Sequence, residues 1–405
     1  MKKLSLLALS ALLVLAGSCG TSSEDAKTVK IKDIYGGVKS ALVPDSRSKV
    51  FEVTVEKLGS DYVLYGATND AACKDSLMKA LAAENLQVLD SIELLPSKSL
   101  EGKVYGVTAQ SVINFRTKGS YSAESATQTL MGTPVQVLEQ RNGWTRAITP
   151  EGYISWVSSS SLAYMDEAEF QKYQQARKVI VTDKYITMYE KPSASSLMVS
   201  DAVWGDIMID KGRAGSWRKV AIADGREGYV PASSVQDFDT WLSQRNPTPE
   251  NIIATAKQFI GVPYMWGGTS IKAVDCSGFT KSTYYLNGII LARDASQQCY
   301  TGDDIDVSKY VDGVQTKESL ANLKMGDLIF FGSKATPERK ERITHVGIYI
   351  GDGIFIHSAG KVRINSLIPE DDNYYSGSNR LVRAQRILGN QDCGKGIISM
   401  KTIYE

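Results

Sequence analysis

Apolar and polar residues alternate in two stretches near residue 50, VFEVTVEKL and DYVLYGAT, which is the pattern of half-buried strands. The next stretch, CKDSLMKALAAENL, has helical spacing, and QVLDSIELL again has the pattern of a strand. Residues 47–103 are therefore predicted to form a small α/β unit with the order strand, strand, helix, strand. No catalytic constellation occurs in this unit, so packing or spacing is its expected role.

Two later segments share one pattern of glycine and aromatic residues around short alternating strands. The pattern is a glycine, an alternating strand, a tryptophan and a Gly-Tyr pair. In the first segment these are Gly132, PVQVLEQ, Trp144 and Gly152-Tyr153. In the second they are Gly205, DIMIDKG, Trp217 and Gly228-Tyr229. The spacing from glycine to tryptophan is twelve residues in both segments. Short strands between glycine turns favour small antiparallel barrels, predicted at 104–164 and 178–236. Most of these aromatic residues are expected to fill barrel cores and rims.

Two connecting segments separate the barrels from each other and from the last domain. YMDEAEFQKYQQARK has the spacing of one short helix, and DFDTWLSQRNP is interpreted as a linker. Thr248-Pro249-Glu250 then predicts a helix start, with threonine as the N-cap and proline in the first turn. The last domain therefore begins near residue 248.

Length and charge limit the classes of protein and partner. A chain of 405 residues with 43% hydrophobic residues is long enough for two to four domains. Its 46 basic and 45 acidic side chains leave a formal net charge of +1, so there is no global field to hold a nucleic acid. The partner is expected to be recognised locally.

Residues 1–19 have the features of a lipoprotein signal peptide. Two lysines precede an apolar run, and small residues precede Cys19. The apolar run is too short to span a bilayer comfortably. AGSC resembles the lipobox of bacterial lipoproteins, although leucine is usual where Ala16 stands, and this resemblance implies acylation of Cys19 and a membrane anchor. Ordinary cleavage to a soluble secreted protein is the alternative. The polar residues that follow predict a flexible tether over 20–46.

The segment GVPYMWGGTSIKAVDCSGFTKSTYYLNG places Cys276 directly before a stretch that can be helical. The unsatisfied N–H groups at a helix N-terminus favour thiolate over thiol, and they can stabilise an oxyanion. A thiolate nucleophile usually needs a histidine, and this chain contains only two, His345 and His357.

Both histidines fall in one predicted hairpin, THVGIYIGDGIFIHSAG. A three-residue turn would pair Ile350 with Ile354 and make His357 a diagonal neighbour of His345, about 7–8 Å away at the backbone. A two-residue turn would put the histidines on opposite faces. The first arrangement predicts Cys276 as nucleophile, His345 as base and His357 as the residue that orients it. Zinc is the competing use of these three residues, but the spacing brings no further ligand nearby.

The five cysteines are scattered and do not form a disulfide framework. With Cys19 and Cys276 assigned, Cys73, Cys299 and Cys393 remain and are expected to be buried free thiols. A disulfide between the last two stays open. They lack the close spacing of a metal site, so neither a metal nor a cofactor is predicted.

Four motifs, PYMWGG, DCSGF, MGDLIFFG and THVGIYIG, resemble in this order the NlpC-type cysteine peptidases, which are papain-like bacterial cell-wall hydrolases. The resemblance covers about residues 248–390. It implies an α+β papain-like fold, a triad of Cys276, His345 and His357, and Tyr264 beside the sulfur. The predicted fold class is therefore multidomain, with two small all-β barrels similar to Src-homology-3 (SH3) domains before a papain-like domain.

Barrels preceding such a domain resemble the γ-D-glutamyl-diamino-acid endopeptidases, or dipeptidyl-peptidase VI. These enzymes release L-Ala-γ-D-Glu from wall peptides with a free N-terminal alanine. The resemblance implies that substrate-binding residues surround the amine and the adjoining peptide, at Asp275, Ser277, Glu124, Tyr153, Asp294 and Ser296. A buried ammonium needs nearby carboxylates, although a solvated loop charge is the alternative for Glu124.

The expected partners are thus peptidoglycan-derived peptides, and the expected location is the bacterial cell envelope, at its periplasmic or outer-membrane face. Two other functions stay open. One is a catalytically inert wall-binding lipoprotein, and the other is a broader endopeptidase that acts on intact peptidoglycan.

Overall fold

The structure, a computed structural model, describes residues 25–307 and 316–404. The predicted signal peptide and the lipidation site Cys19 lie outside these residues. Within them, no helix combines the length and the apolar character needed to cross a membrane.

The N-terminal module consists of two helices packed on a three-stranded sheet. Its elements are α1 (Ala26–Leu42), β1 (Phe51–Leu58), β2 (Asp61–Thr68), α2 (Ala71–Ala83) and β3 (Leu89–Leu94). The pair β1 and β2 is antiparallel, whereas β2 and β3 are parallel. The predicted order of strand, strand, helix and strand is present.

The helix α1 occupies most of the segment that was predicted to be a flexible tether, so that prediction is wrong for residues 26–42. Asp25 caps the helix by accepting hydrogen bonds from two backbone N–H groups of its first turn. Ile31 and other apolar residues at helical spacing pack into the core with Phe51 and Leu77. Burial of these apolar residues stabilises a helix where the polar residues before it had suggested a flexible segment.

The first barrel is a seven-stranded antiparallel sheet with the order β10-β4-β7-β8-β9-β5-β6. Its strands are β4 (Tyr105–Thr108), β5 (Val112–Arg116), β6 (Ser125–Leu130), β7 (Pro134–Arg141), β8 (Trp144–Ile148), β9 (Ile154–Ser158) and β10 (Leu162–Met165). Phe115, Val135, Ala147 and Val157 are among the residues that fill its core.

A second seven-stranded sheet follows the predicted connecting helix α3 (Glu167–Gln175). Its strands are β11 (Lys178–Val181), β12 (Tyr185–Tyr189), β13 (Met198–Val203), β14 (Ile207–Ala214), β15 (Trp217–Ala221), β16 (Glu227–Pro231) and β17 (Val235–Asp237). Their order, β17-β11-β14-β15-β16-β12-β13, repeats the order of the first sheet strand for strand. The repeated sequence pattern therefore corresponds to a repeated topology.

The four aromatic residues of the repeat have the structural role expected for most of them. Trp144 and Tyr153 are buried, and Trp217 and Tyr229 are half-buried. Tyr153 is the exception among the four, because its hydroxyl group donates a hydrogen bond to Asp294 of the C-terminal domain.

The segment predicted to be a plain linker contains the helix α4 (Phe238–Ser243), so it is not extended throughout. Trp241 is 4% exposed because α4 packs against the second barrel. Apolar residues in the predicted linker are the physical reason, since their burial stabilises a docked helix.

The C-terminal domain packs short helices against a six-stranded antiparallel sheet with the order β21-β26-β22-β23-β24-β25. Its helices are α5 (Pro249–Lys257), α6 (Cys276–Tyr285), α7 (Ala295–Gln298) and α8 (Met400–Tyr404), and Thr248 caps α5 as predicted. The strands of the main sheet are β21 (Asp303–Ile305), β22 (Leu328–Ser333), β23 (Arg342–Gly351), β24 (Ile354–Ala359), β25 (Lys361–Ser366) and β26 (Leu381–Arg386). Two small pairs are β18 (Thr269–Ser270) with β19 (Ala273–Val274), and β20 (Ile289–Ile290) with β27 (Ile398–Ser399).

The hairpin of β23 and β24 has a turn of two residues, Asp352 and Gly353, and Gly351 pairs with Ile354. The predicted pair of Ile350 with Ile354 is therefore wrong. A bulge at Ile350 shifts the pairing by one residue, so that Tyr349 pairs with Phe355 and Ile348 with Ile356. These are the pairs that a three-residue turn would give. The two histidines consequently share one face of the sheet, as predicted.

A buried carboxylate joins the two barrels. Asp206 is 0% exposed, and its two oxygens accept hydrogen bonds from the backbone N–H groups of Met131 (3.0 Å) and Val203 (2.7 Å). A further backbone bond, from Ile207 N–H to the carbonyl of Met131, lies beside it (3.0 Å). Asp206 thus satisfies donors from both sheets at one point.

Replacing Asp206 by alanine is expected to lower the free energy of unfolding by about 2–5 kcal/mol, because two buried N–H groups lose their acceptor. Chemical denaturation followed by tryptophan fluorescence measures this change. The matched control Asp183→Ala removes an exposed carboxylate from the same barrel and is expected to cost less than about 1 kcal/mol. Equal effects of the two substitutions would contradict the role of Asp206 at this junction.

Candidate active site

The candidate nucleophile is the first residue of α6, as the sequence predicts. Asp275 caps this helix by accepting a hydrogen bond from the backbone N–H of Gly278 (2.7 Å). A side chain at position 278 would overlap the carbonyl oxygen of Gly268, so the glycines of the two motifs allow the helix start to approach the preceding loop. Cys276 is 7% exposed, and backbone N–H groups of Ser277 and Val346 interact with its sulfur.

The two histidines form a hydrogen-bonded chain that ends on an asparagine. His345 Nε2 lies 2.7 Å from His357 Nδ1, and His357 Nε2 lies 3.0 Å from Asn365 Oδ1. The amide of Asn365 is oriented because its Nδ2 donates to the carbonyl of Asn373 (2.6 Å).

This chain assigns the tautomers of the neutral rings. Because Asn365 Oδ1 accepts, His357 carries its proton on Nε2 and accepts at Nδ1. His345 then donates from Nε2, which leaves its Nδ1 as an acceptor. Nδ1 of His345 is therefore able to take a proton.

Burial controls the charge of this group of residues. It raises the pKa of the Cys276 thiol to about 12, and the negative charge of Asp275 adds to this. Burial also lowers the pKa of His345 to about 3 and that of His357 to about 4. Cys276 lies at a helix N-terminus as predicted, and backbone N–H groups lower its thiol pKa as expected, but burial raises that pKa by more. These shifts favour the neutral thiol and the neutral imidazoles.

Asp275 belongs to a buried ion pair that the sequence interpretation missed. Arg293 Nη2 and Nη1 donate to its two oxygens at 2.6 and 3.2 Å, and the arginine is 1% exposed. The backbone N–H of Gly267 donates to Asp275 as well (2.9 Å). Arg293 Nη1 also donates to Ser277 Oγ (3.0 Å), and its Nε donates to Thr127 of the first barrel (2.9 Å). The carboxylate is thus already well supplied with donors.

A cavity of about 380 Å³ opens beside the sulfur. It brings together most of the residues predicted to bind substrate, and its lining includes Glu124, Tyr153, Asp275, Ser277, Asp294 and Ser296 together with Cys276. The first barrel therefore forms one wall of the cleft, although its residues are far from Cys276 in the sequence.

The predicted substrate residues differ in their exposure and partners. Glu124 is exposed at the cavity. The Tyr153 hydroxyl donates to Asp294 Oδ2 (3.2 Å), and burial raises the pKa of this phenol, so it stays protonated at neutral pH. Tyr264 is half-buried, and burial is the main cause that raises its pKa to about 12.

Three residues around this site had no assignment from sequence. Arg293 directly precedes Asp294, which was predicted to bind substrate, so this adjacency was the available signal. Asn365 lies on β25 and reaches His357 only through the register of the sheet. Arg47 comes from the N-terminal module and also lines the cavity. No local pattern around Arg47 indicates that position.

The remaining cysteines are free thiols in the described part of the chain. Cys73 and Cys299 are buried, as expected, whereas Cys393 is exposed, which contradicts the expectation for that residue. The open possibility of a disulfide between Cys299 and Cys393 is not realised in the structure.

Comparison with known proteins places this arrangement in context. Residues 261–380 match the model of the NlpC/P60 family, and residues 115–162 match that of the bacterial dipeptidyl-peptidase SH3 domain. A γ-D-glutamyl-L-lysine dipeptidyl-peptidase from Bacillus cereus is 31% identical over 251 residues, which cover 60% of this chain and 70% of the relative. Dipeptidyl-peptidase 6 of Lysinibacillus sphaericus is 27% identical over 255 residues, with 60% and 85% covered.

Among solved structures, an NlpC/P60 family protein from Bacillus cereus superposes with a TM-score of 0.56 at 22% identity. The match covers 70% of this chain and 99% of that one, and it shows similarity of fold. The fold and the comparisons together define a multidomain cysteine peptidase in which an SH3-like domain accompanies a papain-like domain. The chain belongs to the NlpC/P60 family.

The protonation state of the Cys276 thiol can be tested by the pH dependence of its alkylation with iodoacetamide. Because the reactive species is the thiolate and burial raises the thiol pKa, the labelling rate in the free enzyme is expected to rise steadily from about pH 6 to about pH 9. The Cys276→Ala variant identifies the labelled site by difference, and the exposed Cys393 is the internal reference. A rate that stays constant down to about pH 5 would indicate a stable thiolate and contradict this prediction.

Proposed function

We propose that this cysteine peptidase hydrolyses the γ-D-glutamyl-diamino-acid bond of peptidoglycan peptides that carry a free N-terminal L-alanine. The observation that supports this substrate is the wall of the cleft formed by the first barrel. There Glu124 and Tyr153 supply oxygen atoms to the cavity that contains Cys276. Cleavage would release L-Ala-γ-D-Glu, in agreement with the name of the Bacillus cereus relative.

The reaction begins with transfer of the thiol proton of Cys276 to Nδ1 of His345 while sulfur attacks the γ-carbonyl carbon of D-glutamate. The helix N-terminus and Tyr264 are the candidates for stabilising the resulting oxyanion. Collapse of this intermediate breaks the C–N bond as His345 returns the proton to the leaving amine. Water, deprotonated by His345, then hydrolyses the thioester and regenerates the thiol.

His357 acts on this cycle through His345. Its hydrogen bond to Nε2 of His345 keeps the base in one tautomer and stabilises the imidazolium that forms when the thiol proton arrives. Asn365 in turn holds His357. Since both rings are neutral in the free enzyme, their positive charge arises only together with the negative charge on sulfur or on the oxyanion.

The amine pocket follows from the needs of an ammonium group, which donates up to three hydrogen bonds and loses its hydration on binding. Glu124 offers a carboxylate, and Tyr153 donates its own proton to Asp294, so that its oxygen can accept. Asp275 already accepts from Arg293 and from backbone N–H groups. In our proposal it therefore holds the wall of the pocket in place and does not bind the ammonium directly. Ser296, in α7, lines the same cavity.

The domain composition supports a proposal for the cellular location of the enzyme. The second seven-stranded sheet repeats the strand order of the first, so we propose that it is a second SH3-like domain. Domain limits near 104–164, 178–236 and 248–390 remain our proposal, as does anchorage through Cys19 in the cell envelope. The substrates would then be wall peptides released during turnover.

The reaction itself is tested with the peptide L-Ala-γ-D-Glu-diaminopimelate or its lysine counterpart and product identification by mass. Wild type is expected to release L-Ala-γ-D-Glu, and Cys276→Ala is expected to lower kcat by at least about 10⁴-fold because the nucleophile is lost. A wild-type protein that binds peptidoglycan but cleaves neither peptide would favour the inert wall-binding alternative.

The amine pocket is tested by N-acetylation of the same peptide. Loss of the ammonium and the added bulk are expected to abolish turnover, and Glu124→Gln is expected to lower kcat/KM for the free peptide by about tenfold or more. Lys118→Met in the same barrel removes an exposed charge and serves as the control. Equal cleavage of free and acetylated peptides, or of glycan-linked stems, would favour the broader endopeptidase.

A further inference from the structure

Arg47 lies in the segment that connects α1 to β1, far in sequence from the candidate triad. Its Nε and Nη2 donate to the two oxygens of Asp45 at 2.8 and 2.9 Å. The backbone N–H of Arg47 donates to Asp45 as well (2.9 Å). This two-point pairing fixes the plane of the guanidinium group.

The remaining nitrogen of this guanidinium reaches the catalytic domain. Arg47 Nη1 donates to Asp294 Oδ2 (2.7 Å) and to Ser296 Oγ (2.9 Å) at the start of α7. Gln297 completes the contact by donating from Nε2 to Asp45 (2.9 Å). The N-terminal module is thus connected to the same loop that borders the cavity.

The segment also contacts the loop of the first barrel that carries Tyr153. The backbone N–H of Ile154 donates to the carbonyl of Arg47 (2.6 Å). Asp294 Oδ2 then accepts from both Arg47 and the Tyr153 hydroxyl, at 2.7 and 3.2 Å. Three parts of the chain therefore meet on one carboxylate oxygen.

We infer that Arg47 is a positioning residue for recognition of the substrate amine, acting through Asp294 and Tyr153. Arg47 holds Asp294 in place as an acceptor, so the phenol of Tyr153 donates its single proton to that carboxylate. The lone pairs of the phenol oxygen then remain for an ammonium group, which offers only donors. This inference rests on the proposed function and extends it to a residue outside both matched family ranges.

The local charges argue for this role rather than for direct binding of a substrate carboxylate. Arg47 and Arg293 contribute two positive charges, whereas Asp45, Asp294 and Asp275, which pair with them, contribute three negative charges. A further anion would be repelled by this excess, whereas an ammonium would be attracted. Arg47 and Asp294 are both partly exposed at the cavity, with 33% and 28% of their side chains accessible.

The test compares two peptides that differ only in the ammonium group. One is L-Ala-γ-D-Glu-diaminopimelate, and the other replaces alanine by propionate, which removes the ammonium without adding bulk. Arg47→Met is expected to raise KM for the first peptide by about tenfold or more, with kcat changed less than about threefold. For the propionyl peptide, kcat/KM is expected to stay within about threefold of wild type. The ratio of kcat/KM for the peptide with the ammonium to kcat/KM for the propionyl peptide is therefore expected to fall.

Two further variants separate positioning from general damage. Arg47→Lys keeps the charge but not the two-point pairing with Asp45, so an intermediate loss of preference is expected. Lys49→Met removes a cation two residues away that pairs with Asp70 inside the N-terminal module, and it is expected to behave as wild type. Thermal unfolding confirms that each variant is folded.

The outcomes distinguish this inference from the proposed function. A wild-type enzyme that cleaves neither peptide would overturn both. A wild-type enzyme that prefers the amine, combined with an Arg47→Met variant that loses activity equally on both peptides or on neither, would overturn the role of Arg47 alone.

Discussion

The buried pair of Asp275 and Arg293 is the interaction on which the site depends most. One carboxylate caps the nucleophile helix, holds the preceding glycine loop and neutralises a fully buried guanidinium. The same arginine reaches Thr127 of the first barrel. Removing either partner would leave an uncompensated buried charge, which proteins rarely tolerate. The start of α6, the cleft wall and the loop before α7 are consequently fixed relative to one another through this pair.

Burial has a second consequence, because it acts on the nucleophile and its base in opposite directions. The thiol of Cys276 and the imidazole of His345 are both held in their neutral forms. A neutral pair costs less to keep in an apolar site than an ion pair does, and it leaves charge separation to the step in which a substrate carbonyl approaches. The arrangement is thus suited to protecting the thiol from reaction with solutes while the cleft is empty.

Sequence patterns predicted the parts of the structure that depend on local periodicity or on scarce residue types. The repeat of seven-stranded sheets, the helix start at Thr248 and the facing histidines correspond to such patterns. The helices α1 and α4 were missed because the polar residues in these segments were interpreted as a tether and a linker, although apolar residues at helical spacing lie among them. Arg47, Arg293 and Asn365 are held by contacts between distant segments, and no local pattern reports such contacts. The deep burial of Cys276 was not predicted, because a helix end is visible in sequence, whereas the depth of burial is not.

The contact of Arg47 with Asp294 joins residues separated by 247 positions. Closing a loop of that length costs chain entropy, which contacts elsewhere in the fold must offset. Cys276 and the two histidines belong to one domain, whereas Arg47 belongs to another module. Under our proposals, the residues that break the bond and the residue that tunes its choice can therefore be inherited separately. Replacement of the N-terminal module would then offer evolution a means of changing the substrate while the chemistry is kept.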